Sequence, residues 1–340
     1  MISQSTTMQP SESTTNHCKL SHLITIKQIT PQLSESLCHR ASQFKHFFIK
    51  QQHDQYNSIL KNKIVNLLFF EPSTRTMCSF QSAVLRLGGN PITLDIQSSS
   101  SVKGESLQDT LRVMEQYGDL TVMRHSKRGV HQEMTSYLTK PLINAGDGDG
   151  EHPTQALLDL FTIKEEQERV AKLMDFKVQT ICLFGDLKFG RTVHSLLRLL
   201  YIYFRNQPLK IYLISPEGLR MPQYVIDDCV QLGDNHTLIE TESLTPEIMN
   251  ELDVIYVTRL QKERFENEEQ YLKLKSSFCL KKEHLNTSRN SHVPIIMHPL
   301  PRVDELDEAI DSDERAAYFR QMNNGMFMRM AILEMLLKQQ

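Results

Sequence analysis

The chain has 340 residues, 40% of them hydrophobic and 23% charged, with a formal net charge of −3, which holds two domains of ordinary size and leaves no basic footprint for nucleic acid. No apolar run approaches the ~18 residues that a bilayer span requires, which argues against a membrane role. The six cysteines, at 18, 38, 78, 182, 229 and 279, form no Cys-x-x-Cys pair and no zinc-spaced cluster, so they read as free thiols of a reducing, cytoplasmic setting with no metal.

Residues 1–17 are rich in Ser and Thr, poor in apolar groups and free of arginine. They read as a mobile tail rather than a transit peptide, which would carry several arginines. Ile64–Phe70 is the first apolar run suited to a buried strand, Pro72 breaks it, and Thr74–Leu87 has the spacing of an amphipathic helix. Ser73, Thr74, Arg75 and Thr76 therefore sit where a helix begins. Free backbone N–H groups and the helix dipole favour an anion there, and arginine adds a planar fork matched to phosphate oxygens. An ordinary cap beside a surface arginine is the plain alternative for Ser-Thr-Arg taken alone.

Further strands are expected at Ile92–Ile96, Leu120–Met123 and Pro141–Asn144, then at Val178–Phe184, Leu209–Ile214, Asp253–Val257 and Pro294–Met297. Helical stretches such as Ser106–Tyr117, Pro153–Arg169, Arg191–Phe204 and Pro222–Leu232 lie between them. This alternation predicts an α/β fold with two doubly wound parallel-sheet domains of four strands each, divided in the charged stretch Lys164–Lys172. From Tyr318 to Leu337, Met322, Met326, Phe327, Met330, Leu333 and Leu337 recur at helical spacing and read as core packing.

Ligands of open parallel sheets bind beyond the carboxyl ends of the strands. Arg75, Ser99, Arg124 and His152 follow the first four strands, and Gly185, Ser215, Arg259 and His298 follow strands of the second set. The loop Gly185–Gly190 lacks the middle glycine of a dinucleotide fingerprint and has no acidic residue about 20 positions on, so tight-turn glycines explain it better than a nicotinamide site. His152 precedes Pro153 at a helix start, where the dipole disfavours an added positive charge. A neutral imidazole donating one hydrogen bond is the state expected; a buried structural histidine is the plain alternative.

The segment Ser73-Thr74-Arg75-Thr76 resembles the phosphate-binding loop of the carbamoyltransferases. Four further blocks follow in that family's order: Ser99–Glu105 (SSSVKGE), Met123-Arg124-His125, Asn144–Leu158 (NAGDGDGEHPTQALL) and His298-Pro299-Leu300-Pro301-Arg302. The spacing of Val257–Phe265 (VTRLQKERF) and of Gly185–Thr192 (GDLKFGRT) is similar to the aspartate branch of the family. Ornithine enzymes typically carry a cysteine in the segment matching His298–Pro301. The resemblance spans roughly residues 20–340.

It implies a stand-alone enzyme that transfers the carbamoyl group of carbamoyl phosphate to aspartate, the committed step of pyrimidine synthesis, with no cofactor. Residues 18–163, completed by a C-terminal helix at 314–340 that returns to them, would bind carbamoyl phosphate, and 164–313 would bind aspartate. By resemblance, Ser73, Thr74, Arg75, Thr76, Ser99, Lys103 and Arg124 hold the phosphate. Thr76, Arg124 and His152 face the carbonyl oxygen, and Gln155 with Pro299 and Leu300 hold the carbamoyl group. Arg75, Thr76, Arg124 and His152 form the catalytic set. Lys103, Arg191, Arg259, Gln261 and Leu300 would meet aspartate, whose two carboxylates suit two bidentate arginines. The same resemblance implies a homotrimer in which Ser99 and Lys103 reach a neighbour's site, and it allows a regulatory chain as a partner. A carbamoyltransferase of the ornithine type and a catalytically silent paralogue are the competing readings.

Overall fold

The computed structural model describes residues 20–94, 104–233, 235–260 and 278–338. Strands β1 (Ile64–Phe69), β2 (Asn90–Leu94), β3 (Leu120–His125) and β4 (Leu142–Asp147) form a parallel sheet in the order β2-β1-β3-β4. A second parallel sheet holds β5 (Thr180–Phe184), β6 (Lys210–Ile214), β7 (Thr237–Thr241), β8 (Val254–Val257) and β9 (Ile295–Met297) in the order β7-β6-β5-β8-β9. Strand order reverses between β1 and β3 and again between β5 and β8. Each reversal opens a crevice beyond the carboxyl ends of the strands. β5 and β8 are buried along their whole length, as strands covered by helices on both faces must be, and their sequences are correspondingly apolar.

The connecting helices are α1 (Pro31–Ile49), α2 (Thr74–Arg86), α3 (Leu107–Tyr117), α4 (Val130–Met134), α5 (Pro153–Ala171), α6 (Arg191–Tyr203), α7 (Gln223–Leu232), α8 (Pro246–Glu251) and α9 (Tyr318–Lys338). Local chemistry starts several of them. The Thr30 hydroxyl accepts from Leu33 N ahead of Pro31, and Ser106 accepts from Asp109 N, each satisfying a first-turn donor that the helix itself leaves unpaired.

The second sheet has five strands rather than the four read from sequence. The strand missed, β7, lies at the sheet edge with Thr237 and Glu240 exposed, and its two apolar residues are too few to mark it. Helix α1 was not assigned from sequence either. It is held against α5 and α9 by Lys45, which reaches Glu165 at 2.6 Å and Asn324 at 3.0 Å, and by Arg40 paired with Glu334. α9 packs on α1, α2 and α5, so the C-terminal methionine stripe returns to the first sheet's side of the molecule. α5 runs unbroken past residue 164. Its charged end serves ion pairs, Glu166 accepting from Arg320 at 2.6 and 2.8 Å and from Arg169 at 2.7 Å, and the chain crosses to the second sheet after Ala171.

Candidate active site

The two crevices share one cavity of about 650 Å³, lined from the first sheet by Ser73, Arg75, Thr76 and Arg124, from α5 by His152 and Gln155, and from the second sheet by Arg191, Arg259, Pro299 and Leu300. Ser73 is the N-cap of α2, no acidic residue occupies that helix's first turn, and Thr76 is buried. The first N–H groups of α2 have no partner within the helix, which leaves them available to an anion. Burial lowers the Arg75 guanidinium, and Arg259, arriving from beyond β8, lowers it further. The two arginines therefore share one electrostatic field although they come from different sheets.

Arg124, the last residue but one of β3, stands in register with Phe69 of β1. One of its guanidinium nitrogens meets Glu71 Oε1 at 2.7 Å, and Arg191, the first residue of α6, meets the same oxygen at 2.8 Å and Gly148 O at 2.6 Å. Glu71 thus ties the two sheets together at the cavity mouth. Gly146 has φ +118, and a Cβ there would stand 3.1 Å from Arg191 Cζ and 3.3 Å from Arg124 Nη1, so a glycine is what lets both guanidiniums approach. Burial brings Arg124 down to about 10; Arg191 adds to the fall and Glu71 opposes it.

His152 opens α5. Its backbone N–H donates to Ser195 Oγ of α6 at 2.9 Å, the Thr154 hydroxyl lies 3.4 Å from Nδ1, and the buried Nε2 has no partner in the protein. A Thr154 proton donated to Nδ1 leaves the imidazole hydrogen on Nε2. The ring is held well below the usual imidazole range, first by burial and then by Arg124, Arg191 and Arg329. The ring is neutral, and with Thr154 donating it presents the N–H of Nε2.

After β9, the backbone N–H of Leu300 donates to His298 Nδ1 at 2.8 Å, so the hydrogen of that ring is on Nε2, which donates to Glu305 at 2.7 Å. His298 therefore shapes the turn that carries Pro299 and Leu300; Leu300 takes φ +53. His125 and His194 likewise spend a ring nitrogen on the backbone, at Lys127 N and Leu187 O. Gly185 (φ +117) is required by sterics, because a Cβ would lie 2.3 Å from Thr258 O. Asp186 Oδ1 accepts from Lys188 N and Phe189 N, closing the loop on itself.

Of the residues assigned to the substrates in the sequence, Thr74 is not on the cavity wall, and Ser99, Lys103 and Gln261 lie outside the described residues; Gly185 and Ser215, which follow strands of the second set, do not line it either. Sequence reading assigned no role to Glu71, Ser79 and Arg329, which do line it. Arg329 Nη1 donates to Ser79 Oγ at 2.9 Å, and the guanidinium stands 5.1 Å from the Phe80 ring centroid. A single arginine interrupting the methionine stripe of α9 is the signal that marks it.

Residues 21–165 match the family model for the carbamoyl-phosphate-binding domain of aspartate/ornithine carbamoyltransferases, and 177–336 match the model for the aspartate/ornithine-binding domain. The chain is 45% identical over 284 residues to the aspartate carbamoyltransferase catalytic subunit of Clostridium acetobutylicum, covering 83% of this chain and 88% of that one. It is 44% identical over 313 residues to the multifunctional protein pyr1-3 of Dictyostelium discoideum, 92% of this chain but only 13% of that protein's length. In structure it is similar to the aspartate transcarbamoylase of Trypanosoma cruzi in complex with N-(phosphonacetyl)-L-aspartic acid, with a TM-score of 0.84, 40% identity, and 93% of this chain and 96% of the other covered. Two family models covering most of the sequence, and an arginine-lined cavity between the two sheets they describe, place this chain in the aspartate/ornithine carbamoyltransferase family.

Proposed function

We propose that the protein transfers the carbamoyl group of carbamoyl phosphate to L-aspartate, giving N-carbamoyl-L-aspartate and phosphate in the committed step of pyrimidine synthesis. The observation that carries this reading is the division of cations across one cavity, Arg75 and Arg124 from the first sheet and Arg191 and Arg259 from the second. The first pair, with the α2 N-terminus, suits a phosphate. The second suits the two carboxylates of aspartate.

The aspartate amine attacks the carbonyl carbon, negative charge grows on the carbonyl oxygen, and the bond to the phosphate oxygen then breaks. The departing phosphate takes the amine proton. Donors aimed at the carbonyl oxygen contribute most to such a step, and Thr76, Arg124 and neutral His152 are the donors of this wall. The cleft holds amine and carbonyl together, which lowers the barrier further. Residues 18–163, completed by the C-terminal stretch 314–340, act as the carbamoyl-phosphate domain and 164–313 as the aspartate domain. The enzyme works as a cytoplasmic homotrimer in which Ser99 and Lys103 complete a neighbour's site. Family membership and the position of residues 99 and 103 just after β2 support this shared arrangement.

Colorimetric detection of ureido product, with carbamoyl phosphate and a panel of amino acids, tests the reading. Aspartate should be carbamoylated and ornithine not, because two arginines facing one substrate penalise a cationic side chain. Turnover of ornithine, or of no amino acid at all, refutes it.

A further inference from the structure

Behind the cavity wall, Asp159 of α5 is fully buried and gathers three donors from three elements. Gln155 Nε2, one turn earlier on α5, donates to Oδ1 at 2.9 Å, and Gln321 Nε2 of α9 donates to the same oxygen at 2.7 Å. The Tyr256 hydroxyl of β8 donates to Oδ2 at 2.8 Å. Gln321 Oε1 in turn accepts the backbone N–H of His298 at 3.0 Å. A single carboxyl group therefore reaches both Gln155 and the turn bearing Pro299 and Leu300, all of which line the cavity.

The consequence is chemical. A glutamine amide has one face of donors and one acceptor oxygen. With Nε2 committed to Asp159, Gln155 keeps Oε1 for the cavity; the reversed amide would set two acceptor oxygens 2.9 Å apart. Burial pushes Asp159 up to about 7, and Arg329 is the charged neighbour that opposes the rise. While the carboxylate is ionised, Oδ1 accepts from both glutamines and Oδ2 from Tyr256. The orientation of Gln155 is therefore the one that the ionised carboxylate sets.

We propose that Asp159 is a positioning residue that sets acyl-donor specificity: it presents Gln155 Oε1 as an acceptor, so the site favours an acyl phosphate bearing an NH2 group over one bearing a methyl group. This rests on the carbamoyl-transfer reading above. Acetyl phosphate is the probe, identical in charge but with CH3 in place of NH2. Asp159→Ala leaves Gln155 able to turn its amide, so the KM for carbamoyl phosphate should rise about tenfold or more while the Ki of acetyl phosphate stays put. Asp159→Asn should keep the wild-type ratio, because its side-chain oxygen can still accept from both glutamines while its NH2 faces Tyr256. General damage to the fold would move both constants together, so a folded Asp159→Ala enzyme with an unchanged KM to Ki ratio overturns the inference alone. Wild-type enzyme that transfers no carbamoyl group overturns this inference and the function together.

Gln155→Glu, a change on the cavity wall, supplies a second test if Asp159→Ala does not fold. It places an oxygen where Nε2 now donates, so two carboxyl groups meet and must share a proton. Carbamoyl transfer by Gln155→Glu should then disappear as pH rises through neutrality, where the wild type keeps it. A pH profile parallel to wild type would show that the two side chains do not face each other.

Discussion

Replacing His152 by Ala separates two roles that a histidine beside a scissile carbonyl can play, electrostatic donor and proton carrier. The side chain is 3% exposed, its Nε2 has no protein partner, and burial, followed by three guanidiniums, holds the ring neutral. Removing one donor to a developing oxyanion costs about 2.7–4 kcal/mol, so kcat should fall roughly 10²- to 10³-fold. His152→Asn keeps an N–H of similar reach and should lose less. The ring's pKa lies well below 6.5 in the folded enzyme, so it stays neutral over the working range. The kcat profiles of wild type and His152→Ala should therefore run parallel from about pH 6 to 9. Ureido product measured at saturating carbamoyl phosphate and aspartate across that range gives both quantities. An acid limb with a midpoint near neutrality in the wild type that vanishes in the variant would show that the imidazole titrates during turnover, and the donor assignment would be wrong.

Arg259→Ala should lose about thirty- to several-thousand-fold in kcat/KM for aspartate, since truncating one partner of a desolvated charge pair costs about 2–5 kcal/mol; equal weakening of carbamoyl phosphate binding measured without aspartate would place Arg259 on the wrong substrate. Lys103→Ala and Arg259→Ala should each be nearly inactive alone, yet co-refolding them should restore about a quarter of the sites if Lys103 serves a neighbour; mixed trimers as inactive as their parents would rule that out. Stability should fall on acidification, because His131, His152, His194 and His298 are all lowered by burial. Their stabilisation is present above the unfolded pKa near 6.5 and is lost as pH drops toward the folded values, which reach about 4 for His131 and His194. Asp159, raised to about 7, acts in the opposite sense and offsets part of this, so the net change between about pH 6 and 5 is a loss of stability on acidification. Urea midpoints that stay level or climb over that interval would contradict these burial effects.

The parts of this molecule that were legible in sequence are those where one physical constraint acts alone. A strand covered on both faces has to be mostly apolar, so β1, β5 and β8 announce themselves despite Asn66 and Thr180, and Pro153 after His152 marks a helix start without help. β7 escaped because an edge strand need bury only one flank, and Thr237 and Glu240 are free to be polar. Arg329 and Glu71 escaped for another reason. Each is defined by partners distant in the chain, Ser79 for one, Arg124 and Arg191 for the other. Asp159 stands on the buried face of an ordinary helix, and only the arrival of Tyr256 and Gln321 distinguishes it from a capping or solvated carboxylate.

The balance of charge on the cavity wall explains why the substrates must both be anions. Among the described residues the lining carries Arg75, Arg124, Arg191, Arg259 and Arg329 against Glu71 alone. Burial already depresses Arg75, Arg124 and Arg329, which means that the folded protein holds these cations at a cost. Groups that neutralise them recover that cost, as the proposed phosphate and carboxylates would from opposite sides of the cleft. Glu71 supplies a small part of the same compensation from within, and it does so by joining Arg124 of one sheet to Arg191 of the other. An anion shared between these arginines therefore acts on the relation between the two halves as well as on its own binding. A ligand paired to arginines of both walls should therefore draw the two halves together, so that the electrostatics that select anions would also bring amine and carbonyl into reach.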